Sequence, residues 1–135
     1  MDEYTEHLGG VLKFRARVVA HLVVAELSCL SCRDKMKSFC HAYLWEPTLD
    51  KWFGGHAHIN GQEIYVVQRG TMEVKLFDGV NWEIFELERG DCLFIPTMIW
   101  HEVRGGAMMV LKDIGYDREK NYIEDLDIFC EAKNK

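Results

Sequence analysis

The stretch Gly54-Gly55-His56-Ala57-His58-Ile59-Asn60-Gly61-Gln62-Glu63, with Gly70 following it, decides how this chain is read. Two histidines one residue apart share a face if the backbone is extended, because strand side chains alternate. Glu63 begins the next apolar segment. A third histidine closes a second run, Gly90-Asp91-Cys92-Leu93-Phe94-Ile95-Pro96-Thr97-Met98-Ile99-Trp100-His101. Three imidazoles and a carboxylate are donors of the softness that suits Fe, Mn, Ni, Cu or Zn. Neutral imidazole, with a pKa of about 6.5, serves equally well to move protons at neutral pH. The pattern leaves both uses open.

Around these runs the chain reads as short strands. Leu12, Phe14, Ala16 and Val18 alternate with Lys13, Arg15 and Arg17, which is the period of a half-buried strand. Val18 to Ala25 is an apolar core strand, and Phe39 to Trp45 is another that stops before Pro47. Ile64 to Val67 is followed by the turn Arg69-Gly70. Met72, Val74 and Leu76 then alternate with polar neighbours up to Asp78-Gly79, a hairpin signal, and Trp82 to Leu87 returns. After the turn at Arg89-Gly90-Asp91 come Cys92 to Ile95, His101 to Val103 and Met108 to Lys112. Strands this short, with turns at such close intervals, indicate an all-β sandwich or barrel. Near the end, Tyr122, Leu126 and Phe129 fall at i, i+4, i+7 with Glu124, Asp125 and Asp127 between them. That spacing predicts a short amphipathic helix over about 117–130, packed on the outside of a barrel spanning about 11–115 or on a partner subunit.

The chain has 135 residues, about half of them hydrophobic and 28% charged, with a net charge of −6. That length suits one domain, 1–135, with one core. An acidic chain offers no field to attract nucleic acid or an anionic membrane. The apolar run at Val18 is too short to span a bilayer. Five cysteines form no framework spacing and favour reduced thiols in a cytoplasm. Cys29-Leu30-Ser31-Cys32 has neither a second ligand pair for zinc nor a thioredoxin-like context, and reads as incidental. His7, His21 and His41 lack comparable neighbours.

The two runs together resemble the two-part signature of the cupin superfamily, G-x5-H-x-H-x(3,4)-E-x6-G followed by G-x5-P-x-G-x2-H. The resemblance implies a single jelly-roll β-barrel with a short C-terminal helix. It also implies that His56, His58, Glu63 and His101 converge inside that barrel, as a metal site or as acid–base groups.

One cupin branch is closer: the sugar 3,4-ketoisomerases that act on dTDP-4-keto-6-deoxyglucose. Gly54-Gly55-His56-Ala57-His58 is similar to the branch's R-G-x-H-A-H. Ile95-Pro96-Thr97-Met98-Ile99-Trp100-His101-Glu102 is similar to its I-P-P-M-V-W-H-E. Tyr116-Asp117 with Tyr122-Ile123-Glu124-Asp125-Leu126-Asp127-Ile128-Phe129 is similar to its tail. The resemblance implies a homodimer that needs no cofactor and shifts a carbonyl between adjacent sugar carbons through an enediol. His56 and His58 would take and return the proton with His101 beside them, and Tyr43 would position or protonate an oxygen. Trp100, Glu102, Glu63 and Lys51 are the candidate substrate contacts. Three positions depart from the branch: Phe53 replaces an arginine, Ile59 a lysine, and Glu63 a glutamine. The carboxylate completes a three-His, one-Glu metal set. The alternative is therefore a metal-dependent cupin, an oxygenase or isomerase of a small polar substrate, holding a divalent Fe, Mn, Ni, Cu or Zn ion at His56, His58, Glu63 and His101. A small-molecule sensor without turnover ranks behind both.

Overall fold

A computed structural model describes residues 4–15, 17–19, 22–24, 41–112 and 121–134. Its strands are β1 (Tyr4–Glu6), β2 (Leu12–Arg15), β3 (Arg17–Val19), β4 (Leu22–Val24), β5 (His41–Trp45), β6 (Phe53–His58) and β7 (Glu63–Arg69). They continue with β8 (Thr71–Phe77), β9 (Trp82–Glu88), β10 (Asp91–Ile95), β11 (Trp100–Arg104), β12 (Ala107–Lys112) and β13 (Tyr122–Ile123), and the chain closes with helix α1 (Leu126–Lys133). One sheet has the order β1-β2-β10-β7-β12-β5 and the other β13-β6-β11-β8-β9, with β3 and β4 pairing apart. Every pairing is antiparallel. The non-sequential order, with β2 beside β10 and β6 beside β11, is that of the jelly roll expected from the two signature runs.

The alternation seen in the sequence becomes the wall between the sheets. Met72, Val74 and Leu76 of β8 are fully buried against Tyr65, Val67, Leu93, Ile95, Met108 and Val110 from the facing sheet. Each such side chain stabilises the fold by about 1.5–3 kcal/mol. The Asp78-Gly79 hairpin forms as expected, with Phe77 opposite Trp82. Gly79 takes φ 104°, and the Asp78 carboxylate accepts the backbone N–H groups of Val80 and Asn81 at 2.8 Å each. These bonds hold its pKa below the usual value.

Three expectations change. Val18 to Ala25, read as one strand, contributes to two, with Val18 of β3 opposite Val23 of β4. Tyr122 and Ile123, read as the first turn of the terminal helix, form β13, with Tyr122 opposite His58 and Ile123 opposite Ala57. The helix starts only at Leu126, capped by the Asp125 side chain accepting from the Ile128 N–H, and runs to Lys133. Phe129 is its one buried residue and packs with Ala57, Phe77 and Trp100 on the outer face of the five-stranded sheet. The pair Cys29/Cys32 and the Tyr116-Asp117 element lie outside the described residues. Of the other cysteines, Cys92 is a buried free thiol pushed up to about 12, first by burial and then by the Asp91 carboxylate, so it is inert.

Candidate active site

The site lies between the sheets at one end. His56 and His58 sit on β6, and His101 on β11 is directly opposite His56. From the facing sheet, Glu63 opens β7 opposite Lys112, the last residue of β12. Tyr43 comes from β5, opposite Val110. The β6–β11 pairing slips by one residue between His101 and Val103. Gly54 occupies that bulge at φ 76°, a left-handed conformation natural to glycine, and a Cβ there would stand 3.0 Å from the Trp45 ring. The bulge aims the histidines inward. The Met98 N–H donates to the His58 carbonyl at 2.8 Å, which ties the loop before β11 to β6. Met98 takes φ 59° at the position where the signature carries glycine.

The ligating atoms of His56, His58, Glu63 and His101 lie within 4.8 Å of one another. His56 and His58 share a hydrogen bond, Nε2 to Nε2, at 2.9 Å. His58 Nε2 is 2.5 Å from Glu63 Oε1, and His101 Nε2 is 3.7 Å from the same oxygen. The His58–Glu63 approach is close but misaligned for a hydrogen bond, so Glu63 Oε1 and His101 Nε2 lack an aligned partner among the described residues. On its other side, His101 Nδ1 donates to the Ile99 carbonyl at 2.9 Å. That bond leaves a lone pair on Nε2, aimed at Glu63.

Burial dominates the electrostatics. His58 is held far below its usual value, first by desolvation, then by the charges of His101, His56 and Lys112. His101 is lowered to about 4 by burial, against the Ile99 hydrogen bond. Both are neutral at pH 7, able to accept a proton or ligate a metal. Burial raises Glu63 to about 7, and Lys112 opposes that rise. Lys112 is itself lowered by burial, with Glu63 pulling the other way. Tyr65 is raised well above its usual range by burial, reinforced by Glu63, Tyr43 and Tyr122, and stays protonated.

A cavity of about 290 Å³ opens onto this group, lined by Tyr43, Trp45, Gly54, His56, Glu63, Tyr65, Tyr122 and Glu124. His56 is half-buried on its wall, whereas His58 and His101 lie behind it. A larger cavity, about 590 Å³ near Lys13, Arg15 and Asp91, holds none of the signature residues.

The structure thus brings His56, His58, Glu63, His101 and Tyr43 together. Trp100 and Glu102 do not join them. They flank His101 in β11 and therefore face the other side of the sheet, where Trp100 Nε1 donates to Glu102 Oε2 at 3.0 Å and Trp100 packs on Phe129. Lys51 is exposed, its ammonium 4.9 Å above the Phe53 ring. Two further residues join the site. Tyr122 stacks on His56 with ring centroids 4.3 Å apart at 12°. Lys112, only 4% exposed, donates to the Tyr122 hydroxyl. Its Nζ stands 5.5 Å from the Tyr43 ring and 4.9 Å from the Tyr122 ring. Lys112 continues the parity of Met108 and Val110, so strand period alone pointed it inward.

The family model described as FdtA, WxcM-like, C-terminal matches residues 31–134. Among solved structures, a 3,4-ketoisomerase from Helicobacter canadensis is 25% identical with TM-score 0.75, the match covering 100% of both chains. WlaRA, a TDP-fucose-3,4-ketoisomerase from Campylobacter jejuni, is 26% identical with TM-score 0.71, covering 97% of this chain and 96% of its own. QdtA, a sugar 3,4-ketoisomerase from Thermoanaerobacterium thermosaccharolyticum in complex with TDP, is 19% identical with TM-score 0.79, covering 95% and 97%, and carries the fold alone. No curated protein matches the chain.

Proposed function

The chain belongs to the FdtA family (WxcM-like, C-terminal), and from that premise we propose that it is an isomerase of a nucleotide-linked keto-deoxysugar. The reaction moves a carbonyl between adjacent ring carbons through an enediol. One observation carries the reading. A hydrogen-bonded pair of histidines, neutral at its buried member, stands on the wall of a small tyrosine-lined cavity. His56 meets the sugar and removes the carbon-bound proton. His58 holds the His56 ring in place and shares the proton. The rings of Tyr43, Trp45, Tyr65 and Tyr122 line the cavity and limit the water that would quench the intermediate. Tyr43 orients the sugar ring. Lys51, beside Phe53, supplies a cation at the mouth for the diphosphate.

The test is turnover of dTDP-4-keto-6-deoxyglucose in D2O, followed by NMR. We expect a 3-keto product with deuterium at the carbon that was the carbonyl, delivered by a histidine whose proton exchanges with solvent, and a loss of at least about 100-fold in rate in His56→Asn. A wild-type protein that leaves the sugar unchanged and undeuterated refutes the proposal.

A second reading is favoured by one observation, the two unmatched buried atoms Glu63 Oε1 and His101 Nε2 that face each other. With His56 and His58 they form a donor set that fits a divalent transition metal. A bound ion would act as a Lewis acid toward a substrate oxygen. Elemental analysis after reconstitution tests it, and a wild type that binds no metal removes it.

We also assign the protein to the cytoplasm, on an odd number of cysteines without framework spacing. No helix among the described residues is long and apolar enough to cross a membrane. The working state is a homodimer. Trp82 and Ile84 expose apolar surface on β9, which ends its sheet among the described residues. Light scattering at the monomer mass overturns the dimer.

A further inference from the structure

Lys112 is a cation placed where an apolar strand would ordinarily end in another aliphatic residue. It follows Met108 and Val110 on the interior face of β12 and is 4% exposed. Among the described residues, three groups stand around the ammonium. Glu63 is its partner across the β12–β7 ladder. The rings of Tyr43 and Tyr122 lie on either hand at 5.5 and 4.9 Å. Its hydrogen bond goes to the Tyr122 hydroxyl. Burying an ammonium is costly unless it is paired and hydrogen-bonded, so this arrangement is a built one.

Tyr122 is fixed from two sides. Its ring lies flat on His56, and its backbone is in register with His58. It lines the cavity that His56 lines. An ammonium can only donate, so the Tyr122 oxygen is the acceptor in the pair with Lys112. The proton the pair can offer is therefore the phenol's own. A donor chain of this kind polarises each member toward the next.

We propose that Tyr122 is a catalytic residue, the proton donor and acceptor for the sugar oxygens, and that Lys112 is the positioning residue that holds its hydroxyl and stabilises the negative charge it acquires. The inference rests on the ketoisomerase reading and names the oxygen-side partner of His56. The protons balance. His56 takes the hydrogen from the carbon bearing the hydroxyl, the electron pair forms the carbon–carbon double bond, and the neighbouring carbonyl oxygen takes the proton of Tyr122. The enediol then gives the other hydroxyl proton back to the Tyr122 phenolate. The protonated histidine returns its proton to the carbon that was the carbonyl. Both oxygens belong to adjacent carbons, so one phenol serves the two in turn, and the enzyme ends as it began.

The experiment compares wild type, Tyr122→Phe, Lys112→Met and His56→Asn on dTDP-4-keto-6-deoxyglucose, with dTDP binding by calorimetry and urea unfolding on each. Tyr122→Phe keeps the stacked ring and loses only the hydroxyl. We expect its kcat to fall about 100- to 1,000-fold, with KM and dTDP affinity changed less than about threefold. Lys112→Met falls about 10- to 100-fold in kcat with the same split. A Tyr122→Phe enzyme within threefold of wild-type kcat overturns the proposal while leaving the ketoisomerase reading intact. So does a loss of rate matched by an equal loss of dTDP affinity, which marks the hydroxyl as structural. An inert wild type overturns both.

Discussion

Replacing Glu63 with glutamine isolates the most consequential charge in the site. In the folded protein the carboxyl titrates near 7, raised from 4.5 by burial. In the unfolded chain it ionises near its ordinary value. Between those two pH values the folded state holds a proton that the unfolded state has released, so stability is full below about 4.5 and is lost as pH rises through about 7. At 1.36 kcal/mol per pH unit, the rise amounts to roughly 3 kcal/mol. His101, lowered from 6.5 to about 4, works in the opposite direction, adding stability as pH climbs through that window. His58, held lower still, adds to the same rise, so the Glu63 slope offsets only part of the histidine slope in the wild type. Glutamine cannot ionise, so Glu63→Gln unmasks the histidine slope. The assay is urea unfolding of both proteins from pH 4.5 to 8 in the presence of a chelator. The absolute difference at any one pH also contains the altered packing and hydrogen bonding of the amide. The change in that difference follows the ionisation alone, with the opposing Lys112 charge already included in the value of about 7, and it should grow in favour of glutamine by about 3 kcal/mol. A difference that stays flat across this range refutes the argument that burial keeps the Glu63 carboxyl protonated. Repeating the series with added Zn2+ or Mn2+ reads the metal alternative. A carboxylate ligand reverses the order, with wild type gaining stability and the glutamine variant not.

Phe129→Ala removes the single buried anchor of α1 from Ala57, Phe77 and Trp100, and should cost about 3–5 kcal/mol in urea unfolding; a cost below about 1 kcal/mol would show the helix to be loosely attached. Met98→Gly should be unusually mild for a half-buried side chain. Relief of the left-handed strain at φ 59°, worth about 1–2 kcal/mol, offsets glycine's extra chain entropy, and a loss above about 2 kcal/mol contradicts this. Gly54→Ala should do the reverse. The φ of 76° and the Trp45 ring 3.0 Å away predict a loss of about 1–2 kcal/mol and a drop in turnover as His56 shifts, and unchanged activity and melting temperature would show that the bulge does not aim the histidines.

What the sequence carried by itself was everything that depends on neighbours a few residues away. The alternation of Met72, Val74 and Leu76, the Asp78-Gly79 turn and the one-residue gap between His56 and His58 each follow from backbone period or backbone conformation, and each appears in the fold as read. The opposite orientation of Trp100 and Glu102 was also legible, since adjacent strand residues cannot share a face with His101. Tyr122 was different. Its spacing to Leu126 and Phe129 suits a helix, and only pairing with His58, 64 positions earlier, makes it a strand residue of the site. Lys112 likewise becomes a cavity cation only when β12 meets β7 and sets it against Glu63. Long-range strand pairing decides which side chains meet, and chain-local spacing does not encode it. For that reason the tertiary structure alone joined the Lys112–Tyr122 pair to the histidines.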